Sequence, residues 1–132
     1  MIQPYGVFPA LSRSFFWAAI CLVPVDLACA SESLLSRTES ESLIRRTPAF
    51  LGTINAKGCP SIEVLWIEAT AIFFQVRNMC PRSGSGLIGN YLVDRTTAEV
   101  WEGIDRDVLI NSDALTKYQA ILRRRMIRAR KH

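Results

Sequence analysis

CPSIEVLWIEATAIFFQVRNMC, residues 59–80, is the densest apolar stretch outside the N-terminal leader, and a cysteine closes each end. Read as a hairpin centred between Ala69 and Thr70, it sets Leu65 opposite Phe74, Ile67 opposite Ile72, Glu63 opposite Val76 and Cys59 opposite Cys80. One face then carries Leu65, Ile67, Ile72, Phe74 and Val76, the period-2 signature of a strand pair over a core. The other face carries Ile62, Val64, Trp66 and Phe73 and turns polar at Gln75 and Arg77. The apolar pattern alone places the two cysteines as cross-strand partners, close enough to bridge. A Cys59–Cys80 disulfide is therefore expected.

The compartment follows from the N-terminus. Phe15 to Val25 is an unbroken apolar run, too short to cross a bilayer as a helix. Arg13 precedes it, and Ala28-Cys29-Ala30 follows with the small-x-small pattern of a cleavage site. Residues 1–30 are read as a signal peptide and residues 31–132 as a single small domain, exported to a periplasm or secreted. A buried strand or short helix is the weaker alternative, and Asp26 so near the site is its main support. A lipoprotein site would want a leucine-like residue where Asp26 stands, so Cys29 is expected to leave with the leader, as is Cys21. Two cysteines remain, an even number in a chain bound for an oxidising compartment.

Along the mature chain, Thr38-Glu39-Ser40-Glu41 fits a capping box, with Arg45 and Arg46 in the last turn of its helix. Pro48 turns Thr47 away from helical angles and ends that helix. Phe50 to Ile54 is expected as a short strand or connection, and Asn55-Ala56-Lys57-Gly58 as a turn. Residues 81–86 read as a loop, Leu87 to Arg95 as a third strand and Glu99 to Glu102 as a fourth, joined by a tight turn at Thr96-Thr97-Ala98. Gly103 to Asp107 is a further turn. Ser112 or Asn111 caps a last helix on which Leu115, Tyr118, Leu122 and Met126 recur at helical spacing, widened by Ile121. This order predicts an α+β fold: a four-stranded antiparallel meander with an N-terminal and a C-terminal helix packed on one face.

The hairpin from Tyr91-Leu92-Val93-Asp94-Arg95 to Val100-Trp101 resembles one found in small exported bacterial domains, PepSY-like ones among them. Their pattern is tyrosine, valine, aspartate, a turn with glycine, then valine and an aromatic. Here Ala98 stands where the sharpest form of that turn places glycine. The resemblance implies an exported α+β domain and no particular activity.

Most catalytic readings fail on context. Gly84-Ser85-Gly86-Leu87-Ile88-Gly89 matches the dinucleotide fingerprint letter for letter, but it runs into strand sequence instead of a helix. Asp105-Arg106-Asp107 lacks the regular oxygen ligands of a calcium loop. Glu63 and Glu68 fall on opposite faces of one strand, so they form no acid/base pair. Ser83 and Ser85 lack the glycines of a nucleophile elbow, and His132 is the single histidine, at the chain end. Two cysteines and one terminal histidine cannot supply four zinc ligands. Neither enzyme activity, cofactor nor metal is expected.

What remains is surface. Of 16 Lys and Arg against 12 Asp and Glu, giving a formal net charge of +4, six bases crowd residues 123–132, RRRMIRARKH. Ser31 to Leu122 holds fewer bases than acids, so the net positive charge belongs to this tail. Arg123, Arg124, Arg125, Arg128, Arg130 and Lys131 are candidates for binding an anionic partner. As three consecutive residues, Arg123 to Arg125 cannot all flank the apolar stripe, so at least one must face solvent. Trp66, Phe73 and Trp101 are either core beneath a second helical layer or an exposed patch that marks a partner.

The reading is a small exported non-enzymatic protein that binds another macromolecule, of the inhibitor or immunity-protein type acting on an envelope enzyme. The alternative is an envelope-surface binder using the basic helix against anionic lipid or polymer. Nucleic acid is not an expected partner.

Overall fold

The computed structural model describes residues 33–80 and 86–132. The expected leader and cleavage site, with Cys21 and Cys29, and most of the glycine-rich loop lie outside the described residues. Among the described residues, three helices, α1 (Arg37–Ile44), α2 (Pro48–Asn55) and α3 (Asp113–Arg130), accompany an antiparallel sheet. The sheet has five strands in the order β1 (Pro60–Ile67), β2 (Ala71–Asn78), β3 (Leu87–Asp94), β4 (Val100–Glu102) and β5 (Val108–Leu109). The α+β meander is as expected. A fifth strand and a further helix are added to it.

The hairpin register is where sequence and structure part. Trp66 pairs with Phe73 and Ile67 with Ile72, as the pattern predicts. A bulge between Val64 and Trp66 then inserts Leu65 as an unpaired residue, so Val64 meets Phe74, Ile62 meets Val76 and Glu63 meets Gln75. Beyond a bulge every side chain changes face. Ile62 and Val64 accordingly pack on the main core, while Leu65 and Ile67, both expected there, are exposed. The energetic reason is visible in the partners: Phe74 and Val76 are fully buried, and the bulge supplies them with two branched apolar neighbours instead of Leu65 and Glu63.

The disulfide forms even so. Cys59 and Cys80 lie beyond the last ladder pair, Pro60 with Asn78, and their Cα atoms stand 5.2 Å apart. Asn78 holds that end together, its Oδ1 accepting from the backbone N–H of both Cys59 (2.9 Å) and Cys80 (3.2 Å).

The N-terminal helix is capped two residues earlier than expected, by Ser36 and not Thr38. The pattern Ser/Thr-x-x-Glu occurs twice in succession, and the first copy wins: Ser36 Oγ accepts from the Glu39 N–H, and Glu39 Oε2 accepts from the Ser36 N–H at 2.8 Å. Glu39 gains a second tie, because Arg125 of α3 reaches it at 2.8 Å. Thr47 is extended as Pro48 requires, but Pro48 also opens α2 at its first position, where a missing N–H costs nothing. Phe50 to Ile54 is thus helical, not strand. Phe50 is its one buried anchor, too thin an apolar signal to announce a helix.

One core cluster joins Leu35, Leu43, Ile44 and Phe50 to Ile72, Phe74, Val76, Tyr91, Val93 and Val100 of the sheet and to Leu115, Leu122 and Met126 of α3. Ser112 caps α3, as expected. Ile121 does not widen the apolar stripe. It is 54% exposed, and Gln119 is buried in the stripe instead, donating to the Ala98 carbonyl at 2.8 Å.

Candidate interaction surfaces

Strand register builds the first surface. Trp66 pairs with Phe73, Phe73 with Leu92, Leu92 with Trp101 and Trp101 with Leu109, so one row of apolar side chains crosses all five strands. Alternation puts this row on the face opposite Phe74, Val93 and Val100. Ala71, Phe73 and Leu92 form a second small cluster with Trp101 against it, and none of the described helices contributes to that cluster. Trp66 stacks on Phe73 with ring centroids 4.2 Å apart, and that cover helps bury Phe73. The ends of the row stay in solvent, Trp66 at 39% and Leu109 at 40% exposure.

The three aromatics therefore fit neither sequence expectation in full. They are not sealed beneath a helical layer among the described residues, yet Phe73 is buried and Trp101 half-buried.

Polar groups border the row. On one side Arg77 donates to Gln75 Oε1 (2.8 Å) and Gln75 to Asn90 Oδ1 (3.2 Å). On the other, Asp94 accepts from the Thr96 hydroxyl (2.6 Å), the Thr96 N–H (2.8 Å) and Arg106 (3.0 Å). Burial pushes the Asp94 carboxyl up, but the Thr96 bonds and the Arg106 charge outweigh it and hold the group below its ordinary value. Arg106 also lies 5.7 Å from the Trp101 ring centre, and the indole N–H donates to Glu99 at 3.1 Å. Arg106 takes a positive φ of 56° in the turn expected at Gly103 to Asp107.

The basic tail forms the second surface, and the structure divides its six cations into two groups. Arg123 donates to the Thr97 carbonyl (2.8 Å), Arg130 to the Thr96 carbonyl (3.1 Å), and Arg125 to the Leu34 carbonyl (3.2 Å) and Glu39 (2.9 Å). These three fasten the helix to the β3–β4 turn and to α1. Arg123 and Arg130 also line an open cleft of about 320 Å³ with Thr96, Thr97, Glu99, Met126 and the half-exposed Ile127. Arg124, Arg128 and Lys131 are exposed, with no ion pair among the described residues.

Sequence reasoning missed Leu92, Leu109, Asp94 and Arg106. Leu92 was legible, since it alternates with buried Tyr91 and Val93. Leu109 was not, because a two-residue strand leaves no period to read.

Comparison with protein-family models, curated proteins and solved structures finds no match to the chain. Fold and surfaces define an antiparallel α+β domain with an apolar row on one sheet face and a basic outer helix.

Proposed function

We propose that this is a small exported, non-enzymatic protein that binds a protein partner through the outer face of its sheet. An inhibitor or immunity-type partner of an envelope enzyme is the role this reading fits. One observation carries it: the row Trp66–Phe73–Leu92–Trp101–Leu109, three of its five residues aromatic, with polar groups along its borders. Aromatic anchors within a polar rim are the usual anatomy of a protein interface. The Cys59–Cys80 disulfide is compatible with an oxidising, exported location. The resemblance of the Tyr91 to Trp101 hairpin to PepSY-like exported domains points to the same compartment.

The test is capture from an envelope extract by wild-type protein, by a Trp66→Ser/Leu109→Ser variant and by a Lys117→Gln/Arg124→Gln control. Both altered residues of the first variant are well exposed, so the fold should persist. A specific protein retained by wild type and control but lost by the sheet variant is the expected result. Equal retention by all three removes the sheet face as the binding surface.

A further inference from the structure

We propose that the outward face of α3 rests on an anionic lipid surface, in addition to whatever binds the sheet. With Arg123, Arg125 and Arg130 committed to backbone carbonyls and Glu39, the remaining bases of the helix and of its C-cap fall on one line. At 100° per residue, Lys117, Arg124, Arg128 and Lys131 share a sector of about 60°, centred opposite Leu115, Leu122 and Met126. From Lys117 to Lys131 the line runs about 21 Å along the helix axis. Its one acidic neighbour on the helix is Asp113, in the first turn.

Two isoleucines flank this line. Ile121 and Ile127 are 54% and 50% exposed and lie about 60° to either side of its centre. Cations alone would suit any polyanion. Cations between two exposed isoleucines suit an interface that is anionic at its surface and apolar just beneath, where ammonium and guanidinium groups meet phosphates and the branched side chains enter the acyl boundary. No described helix is long and apolar enough to cross a membrane, so the contact lies in the plane of the surface.

The experiment measures partition of the full chain onto vesicles of phosphatidylcholine alone and of phosphatidylcholine with phosphatidylglycerol, at low and physiological salt. Binding to phosphatidylcholine alone gives the baseline that any apolar N-terminal segment contributes. Above it, wild-type protein is expected to favour the anionic vesicles, less so as salt rises. Arg124→Gln/Arg128→Gln/Lys131→Gln is expected to lose at least about tenfold of that excess, since each cation near such a surface adds severalfold. Ile121→Ser/Ile127→Ser is expected to lose a comparable share. Arg123→Gln/Arg130→Gln should lower the unfolding midpoint yet retain the excess, showing that position and not total charge decides. Unchanged partition of the triple variant overturns the proposal. So does loss of the isoleucines without effect, or equally tight binding of soluble polyglutamate, because either makes the helix a general anion binder.

Discussion

Ala98 sits at a left-handed φ of 63°, at the turn position where glycine would be free of strain. Its methyl group is fully buried in the main core, and its carbonyl accepts from Gln119. Backbone strain of about 1 kcal/mol is thus set against about 0.8 kcal/mol of methyl burial. Ala98→Gly should therefore shift stability by no more than about 1 kcal/mol, whereas Ala98→Val, branched at a positive φ, should cost about 2 kcal/mol or more. Chemical denaturation of both variants checks the pair. Asp94, four residues earlier, gives the domain an acid-sensitive lock. Its carboxyl is held below the ordinary value, so the stability it adds is present above the unfolded pKa of about 3.9 and is lost as pH falls through the lower folded value. The unfolding midpoint should fall with pH in that window, and Asp94→Asn should flatten this part of the profile. A variant whose acid profile matches wild type would show that other carboxylates govern it.

At the scale of elements, the disulfided hairpin carries the largest single constraint. Cys59 and Cys80 are separated by 21 positions, which on the chain-entropy view makes their bond worth about 3 kcal/mol. Cys59→Ser/Cys80→Ser should lower stability by about that amount without changing the sheet, read by denaturation and by far-ultraviolet dichroism. The last helix is the second constraint. Leu122 is buried between Gln119 and Met126, so Leu122→Asp puts a charge where no cation is built to meet it. The expected outcome is an unfolded domain by dichroism. A folded Leu122→Asp protein would mean that α3 is not required by the core. Arg125, which bridges α3 to Glu39 and the Leu34 carbonyl, should be the most costly arginine of the tail to remove.

For the whole molecule, the sheet has two unlike faces. One joins α1, α2 and α3 in a single core, and the other carries the cross-strand row. Trp66→Ser should cost only about 1 kcal/mol, mainly the lost stack on Phe73, because the indole is already well exposed. Thermal unfolding measures this, and a much larger loss would make the row a second core instead of a contact face. Export is tested separately. Intact mass of the protein recovered from the exported fraction should correspond to a chain beginning at Ser31, and a chain still carrying Phe15 to Val25 would overturn the signal-peptide reading.

Sequence alone determined the elements whose signals are local. The hairpin itself, the bridging of the cysteines at its two ends, the Ser112 cap and the Leu115, Leu122 and Met126 stripe each follow from signals within one segment. The bulge nevertheless sets Cys59 opposite Met79 and not opposite Cys80 as the simple period predicts. Tertiary structure decided what depends on distant partners. Leu65 bulges because Phe74 and Val76 take Ile62 and Val64 as neighbours, and Ser36 caps α1 over Thr38 where Glu39 also meets Arg125. The aromatic row exists because register aligns five separate strands, the last only two residues long. Likewise six cations that look equivalent along the chain become two sets of three, since only the packed helix shows which can reach a carbonyl and which can reach only outward.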